Sequence, residues 1–288
     1  MKKTIDHKEK ENEFETKNMA TNSIIRNYEN SRTCDCKLSK TLNYLRSVNK
    51  LYDVCILVDK YQFYCHKLLI ITHCPPFRLH ILNTRPKDLV EIKLCYSTKR
   101  GMSLILSYIY SMEINIDIHN FADTLITSYE LGIEKLIEKC EKYIDQNFGS
   151  SLGNNEAKNE IEISKIIVSL SILYPLKEKE FYKEIMNNIA KKFSFVLEND
   201  EFLNIDVKIL YNLLKYYQIT INKEIDLFIG ILKWIKKDPS TRCKYLKLLF
   251  DFVKFQHISP LSIAKYIETE ELVMNDPKIL EKIKQSLK

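Results

Sequence analysis

Residues 53–77, DVCILVDKYQFYCHKLLIITHCPPF, constrain this chain more than any other stretch. DVCILVD (53–59) and YQFYC (61–65) are β-branched and aromatic runs that meet at Asp59-Lys60, which suits a tight hairpin. HKLLIITHC (66–74) then fits a short apolar helix. Pro75-Pro76 stops it, because proline brings no N–H to the helical ladder and restricts the residue before it. Two strands therefore lead directly into a helix.

The flanking segments extend this pattern. From Ser39, SKTLNYLRSVNK places Leu42, Leu45 and Val48 or Asn49 at three- and four-residue spacing, with Ser39 as the expected N-cap of a short amphipathic helix. VEIKL (90–94) alternates and predicts a third strand. KRGMSLILSYIYSM (99–112) predicts a helix and EINI (113–116) a short extended piece. HNFADTLITSYELG (119–132) and IEKLIEKCEKYIDQNF (133–148) predict a helical hairpin broken at Gly132. Together these segments make a small α+β domain capped on one side by helices.

Only 5 Gly and 7 Pro in 288 residues favour long helices joined by short turns. GSSLGNNEAKNE (149–160) has the clearest linker composition. Beyond it every segment reads as helix: EISKIIVSLSILY, KEKEFYKEIMNNIAKKFSFVL, a short EFL, VKILYNLLKYY and KEIDLFIGILKWIKK. In the last, Ile225, Phe228, Ile229, Leu232 and Ile235 form one apolar stripe. Asp238-Pro239, Ser259-Pro260 and Asp276-Pro277 each set an N-cap residue before a proline at the first helical position. The expected organisation is a mobile tail (1–37), the α+β domain (38–148), a linker (149–159) and an all-α domain (160–288).

The chemistry-bearing residues point away from catalysis. A zinc site needs converging pairs of thiolates or imidazoles, and Cys34-Asp35-Cys36 is too tight, with no second pair. Cys65-His66 and His73-Cys74 lie at opposite ends of one short helix, about 10 Å apart along its axis, which is too far for one tetrahedral ion. No metal or cofactor is expected. A P-loop, an HExxH pair and a Gly-rich nucleophile elbow are all missing, so an enzyme is not indicated. Trp234 reads as core. Tyr108 and Tyr110 alternate on one helix, which predicts that one of them faces a partner.

Charge and hydropathy set the expected location and partners. The first residues, MKKTIDHKEKENEFETKNMA, carry charge where a signal peptide needs its apolar core, and no run of 18 apolar residues occurs. A soluble intracellular protein with eight reduced cysteines is expected, in the cytoplasm, with the nucleus as a second compartment. The net charge of +6 is spread along the chain without a dense basic cluster, so neither nucleic acid nor membrane is an expected partner.

DVCILVDKYQFYCHKLLIITHCPPF resembles the signature of the BTB/POZ domain: an Asp-Val strand, a hairpin and an aromatic strand leading into a histidine-lysine-started helix. SLILSYIYSMEINI is similar to that family's helix-then-"YIYTG" element, and ADTLITSYELGIEKLIEKCEKYI to its closing helical hairpin, down to Cys140. The second half, from EFLNIDVKILYNLL through WIKKDPSTRCKYLKLLF to HISP, resembles the BACK domain that follows BTB in kelch-like proteins. No 40–50-residue repeat follows, so no kelch propeller is expected.

The resemblance implies a non-enzymatic adaptor that forms homodimers, or pairs with other BTB proteins, and recruits the BTB-specific cullin of a RING ubiquitin ligase for an unspecified substrate. By position, it implies a cullin face of Phe77, Leu82, Leu104 and Tyr110, extended by Ile166 and Leu170, and dimer contacts through Leu42, Leu45 and Val48. Three departures stand out. NTRPKD (83–88) occupies the place of the family's hydrophobic-x-Glu motif, IITHCPPF replaces the usual alanine- and serine-rich helix end, and Ile161-Glu162 replaces the Asn-Cys pair. The alternative they leave is an interaction or decoy protein that binds BTB partners without joining a ligase. The richness in Ile, Asn, Lys and Tyr suggests an AT-rich coding sequence. In this the chain is similar to the poxviral kelch-like BTB–BACK proteins, some of them truncated, which implies a viral modulator of its host, with an AT-rich cellular genome as the alternative origin.

Overall fold

The computed structural model describes residues 37–85, 87–148, 166–167, 169–267 and 269–286. The expected tail, with Cys34 and Cys36, and the expected linker lie outside the described residues, apart from Lys37 in the first helix. The described chain divides into two compact units. The first comprises residues 37–95, 102–114 and 131–133, and the second residues 96–101, 115–130 and everything described from 134 onward. By contacts, the closing helical hairpin of the expected α+β domain therefore groups with the C-terminal helices.

The first unit is built on a three-stranded sheet of order β2-β1-β3. β1 (Val54–Val58) pairs antiparallel with β2 (Tyr61–Cys65) and parallel with β3 (Val90–Leu94). The hairpin closes because Asp59 adopts φ +50°, the left-handed value that mirror-image hairpin turns need and that aspartate tolerates. β1 is the central strand and reads as a nearly continuous apolar run, as a strand covered on both faces must. β3 alternates buried and exposed, so one of its faces meets the core.

Helices α1 (Lys37–Ser47), α2 (Lys67–His73), α3 (Arg78–Asn83) and the greater part of α4 (Lys99–Ser111) complete this unit. Two local expectations are corrected. Ser39 is not the N-cap of α1, which begins earlier, at Lys37; its hydroxyl instead donates to the Tyr110 carbonyl. His66 stands at the N-cap of α2 without capping it, and Asp53 Oδ1 takes the Lys67 N–H at 2.5 Å. Aspartate is the better cap because its short carboxylate reaches the first-turn donors.

Pro75, Pro76 and Phe77 form a 3-10 turn linking α2 to α3. Pro76 packs on Gly132, where an added Cβ would meet the proline Cδ at 2.5 Å. Gly132 also has φ +69°, so glycine is required there twice over, by backbone conformation and by space.

In the second unit, α5 (Phe121–Leu131) is the most enclosed element, with residues 121–128 all buried. Asp117 Oδ1 caps it by accepting the His119 and Asn120 N–H groups at 2.8 and 2.9 Å, while Asn120 Oδ1 accepts the Asp117 N–H at 3.0 Å. Thr98 caps α4, its hydroxyl accepting the Gly101 N–H at 2.9 Å and donating to the Asp123 carboxylate. α6 (Glu134–Phe148) packs against α7 (Glu180–Lys191). The reading of KEKEFYKEIMNNIAKKFSFVL as a single helix is also corrected. It divides at Lys192 into α7 and α8 (Phe193–Glu198), because Lys192 leaves helical geometry at φ −110°, ψ 26°.

EFL lies in a 3-10 turn (Asp200–Asn204) that leads to α9 (Val207–Tyr216), capped by Asp206. α10 (Glu224–Lys237) is the centre of this unit. Of the expected stripe all but the half-buried Ile229 are enclosed, and so are Leu227, Gly230, Ile231 and Trp234. Such a helix is surrounded by neighbours and has no single inward face. Phe250 stacks on Phe228 with ring centroids 4.9 Å apart. TRCKYLKLLF is not one helix either: it breaks into α11 (Pro239–Arg242), a 3-10 turn and α12 (Leu246–Phe250). Asp238 stands at the N-cap of α11 with Pro239 at the first helical position, as expected, and its carboxylate accepts the Ser240 and Thr241 hydroxyls at 2.6 Å each. Short helices α13 (Pro260–Ser262), α14 (Glu271–Met274) and α15 (Pro277–Ser286) close the chain. The Ser259 hydroxyl caps α13 as expected.

Burial also sets the thiol chemistry. Cys65 and Cys74 in the first unit and Cys140 in the second are fully buried, and desolvation raises all three; Cys74 and Cys140 move from 9.0 to about 12. Folded values above unfolded ones mean that this stabilisation is fully present below pH 9 and is lost as pH rises through 9 toward 12. Thermal unfolding is expected at a constant temperature up to about pH 9 and at falling temperature above it. In the native state at mildly alkaline pH, iodoacetamide is expected to modify exposed Cys95 and to spare Cys65, Cys74 and Cys140, as mass-spectrometric mapping would read.

Candidate functional site: apolar contact surfaces

Among the described residues no group of three or more His, Cys, Asp or Glu side chains converges to hold a metal, and no helix is long and apolar enough to cross a membrane. The surface features that stand out are apolar. α1 exposes Leu38 and Tyr44, and the chain just after it exposes Val48, Leu51 and Tyr52, whose ring lies 4.4 Å from that of Tyr64. A short helix that buried its whole apolar stripe within its own domain would not leave these side chains in water. Of the residues expected at the dimer contact, Val48 is exposed, and Leu42 and Leu45 are half-buried.

A second apolar group lies on α2, α3 and the turn between them. Leu68 is 59% exposed, Leu79 47% and Leu82 57%, with Phe77 half-buried. Leu104, on α4, is half-buried. Phe77, Leu82 and Leu104 can therefore meet a partner without rearrangement of the chain.

Tyr110, Ile166 and Leu170 cannot, and here the expected cullin face is corrected. Tyr110 is 2% exposed. Its hydroxyl is joined to His66 Nδ1 at 2.6 Å, its ring lies 4.9 Å beneath the Arg46 guanidinium, and its carbonyl takes the Ser39 hydroxyl. Burial raises its phenol far above the ordinary range, so it stays protonated. Tyr108 is buried as well, so neither tyrosine of the alternating pair faces a partner, because the C-terminal half of α4 is covered on more than one side. Ile166 and Leu170 belong to the interior of the helical unit. Periodicity marks such residues as apolar and helical, and it carries no information about which neighbour covers them.

The Cys65-His66 and His73-Cys74 pairs resolve into core chemistry. His66 is bonded to Tyr110 through Nδ1, while its Nε2 has no partner among the described residues. Leu89-Val90-Glu91, the remaining match to a hydrophobic-x-Glu pattern, runs into β3, where Val90 pairs with Val54 and Glu91 with Cys55. Sequence reasoning missed one feature, a cleft of about 320 Å³ in the helical unit lined by Trp234, Arg242 and Tyr245. The adjoining WIKKDPSTRCKY is its only sequence signal, and that stretch also reads as plain helix-turn-helix.

Comparison with known proteins agrees with this architecture. Residues 42–148 match the BTB/POZ domain and residues 167–268 match BACK, the BTB And C-terminal Kelch domain. The chain thus carries an α+β BTB domain followed by a helical BACK domain, and belongs with the BTB–BACK proteins of kelch-like type. Kelch-like protein 41b of Danio rerio is 25% identical over 249 residues, which are 85% of this chain and 39% of that protein. Kelch-like protein 41 of Mus musculus is 21% identical over 250 residues, 86% of this chain and 39% of that protein. Kelch-like protein 38 of Homo sapiens is 25% identical over 243 residues, 83% and 39% respectively. The chain spans about two-fifths of the length of these relatives.

Proposed function

We propose that this chain is a non-enzymatic BTB–BACK adaptor that dimerises through α1 and docks the N-terminal domain of the BTB-specific cullin of a RING ubiquitin ligase. The observation that carries this reading is the exposed apolar group of Leu68, Leu79 and Leu82 beside Phe77, because a group of large apolar side chains left in water marks an interaction surface. Phe77, Leu82 and Leu104 are the cullin contacts. Tyr110 acts behind them by holding α1 and α2 together through Arg46, Ser39 and His66. Leu42 and Leu45 on α1 and Val48 just after it meet a second copy or another BTB protein. The substrate remains unassigned, and the protein works in the cytoplasm, with the nucleus as a second compartment.

Calorimetric titration with the cullin domain is expected to give micromolar or tighter binding. Leu82→Asp should weaken it at least tenfold, which is about 1.4 kcal/mol, with unchanged circular dichroism because Leu82 is exposed. Absence of measurable heat from the wild-type chain would reject the ligase role.

A second reading is favoured by a specific observation. The stretch between α3 and β3 holds no hydrophobic-x-Glu motif, and Leu89-Val90-Glu91 is committed to the sheet. In that reading the chain is an interaction or decoy protein, of viral origin, that occupies BTB partners of its host. Co-purification with BTB proteins in the absence of cullin would support it.

A further inference from the structure

The cleft in the helical unit measures about 320 Å³ and is lined at one side by Asp206 and Val207 and at the other by Trp234, Arg242, Lys244 and Tyr245. That volume is at the lower end for ligand sites and accommodates a few side chains, not a folded partner.

The charges in it are unequally engaged. Asp206 is spent as the cap of α9, Oδ1 accepting the Lys208 N–H at 2.8 Å. Asp238, just beside Arg242, is occupied by the Ser240 and Thr241 hydroxyls. The cations are engaged differently: the Arg242 charge acts on the Asp238 carboxylate without an ion-pair contact. Arg242 is fixed through one nitrogen, Nη1, which donates to the Leu203 and Trp234 carbonyls at 2.9 and 2.8 Å, and its guanidinium lies 4.1 Å from the indole centroid. Its Nε and Nη2 have no hydrogen-bond partner among the described residues. Lys244 lies 5.1 Å from the Tyr245 ring centroid and forms no ion pair among the described residues. A guanidinium clamped on one edge has already lost its side-chain freedom, so its remaining donors bind at a reduced entropic cost.

We infer that this cleft is a binding site for a short acidic peptide segment of a partner protein, with Arg242 taking a carboxylate through Nε and Nη2 and Lys244 taking a second. The half-buried Tyr245 ring covers the aliphatic stem of an acidic side chain, and Trp234, enclosed beneath Arg242, holds the guanidinium in place. No residue assigned to cullin or dimer contacts takes part, so the site stands or falls apart from those assignments.

Trp234 is the chain's single tryptophan, so it reports the site directly. The full chain is titrated with three probes: a blocked tetrapeptide carrying two glutamates, its glutamine counterpart, and inorganic phosphate. A saturable change in tryptophan fluorescence, matched by calorimetric heat, is expected for the acidic peptide and not for the glutamine peptide, with phosphate at least tenfold weaker. Lys244→Glu, at an exposed position where the fold is unaffected, should weaken the acidic peptide at least fivefold. Saturation by neither measure, equal binding of the glutamine peptide, phosphate as tight as the peptide, or full affinity in Lys244→Glu would each overturn the assignment.

Discussion

Replacing Trp234 with alanine is expected to destabilise the chain by about 3–5 kcal/mol, a large part of what holds a typical domain folded. The side chain is only 2% exposed on the central helix of the BACK unit, so truncation leaves a cavity that the surrounding helices fill incompletely. Two further losses follow. The indole N–H donates to the Ile205 carbonyl at 2.8 Å, and its removal strands that acceptor in the interior. The Arg242 guanidinium loses the ring on which it rests. Trp234→Phe separates these contributions. It keeps most of the apolar volume and loses the donor, so about 1–3 kcal/mol is expected. Urea unfolding followed by far-UV circular dichroism reads both variants. Near-wild-type stability of the alanine variant would contradict the enclosed position of this side chain.

Gly101→Ala is expected to cost about 1–3 kcal/mol, although alanine is intrinsically the better helix former by about 1 kcal/mol. The reason is close approach. Gly101 lies in the first turn of α4, and a Cβ there would collide with the Thr127 hydroxyl and the Asp123 carbonyl oxygen, with the carbonyl carbon at 3.1 Å. A flexible side chain could swing away, whereas the α5 backbone cannot move without disturbing a helix whose residues 121–128 are all buried. This yields a sharper test. Thr127→Ala removes one of the two obstacles and leaves the other, so it should not rescue Gly101→Ala, and Gly101→Val should be worse than either. Restored stability in the double variant would place the clash on the side chain alone.

Much of the fold was legible in local chemistry. The hairpin at Asp59-Lys60, the stop at Pro75-Pro76, the break at Gly132 and the Ser259-Pro260 helix start all depend on residues within a few positions of one another. A turn is decided by the φ its residues tolerate, and a cap by which side chain reaches the next N–H groups. The same holds for the ordered motif set that resembles the BTB and BACK domains. Even among these short-range readings, Ser39 failed as a cap. Its hydroxyl found the Tyr110 carbonyl instead.

The contact surfaces were legible only in part. Leu82 and Tyr110 both looked like partner-facing residues, yet Leu82 lies in water and Tyr110 is enclosed by Arg46 and His66, from segments 64 and 44 positions away. The cleft at Trp234 is likewise assembled from α9, the turn before it, and the α10–α11 corner. Hydrophobic periodicity records that a face must leave water. Which neighbour covers it, and whether any does, depends on long-range packing that no local pattern encodes. Strands, turns and helix starts were therefore written in the order of residues. The distinction between a core tyrosine and a surface leucine, and the gathering of Arg242 and Lys244 beside Trp234 and Tyr245, arose only when distant segments closed on each other.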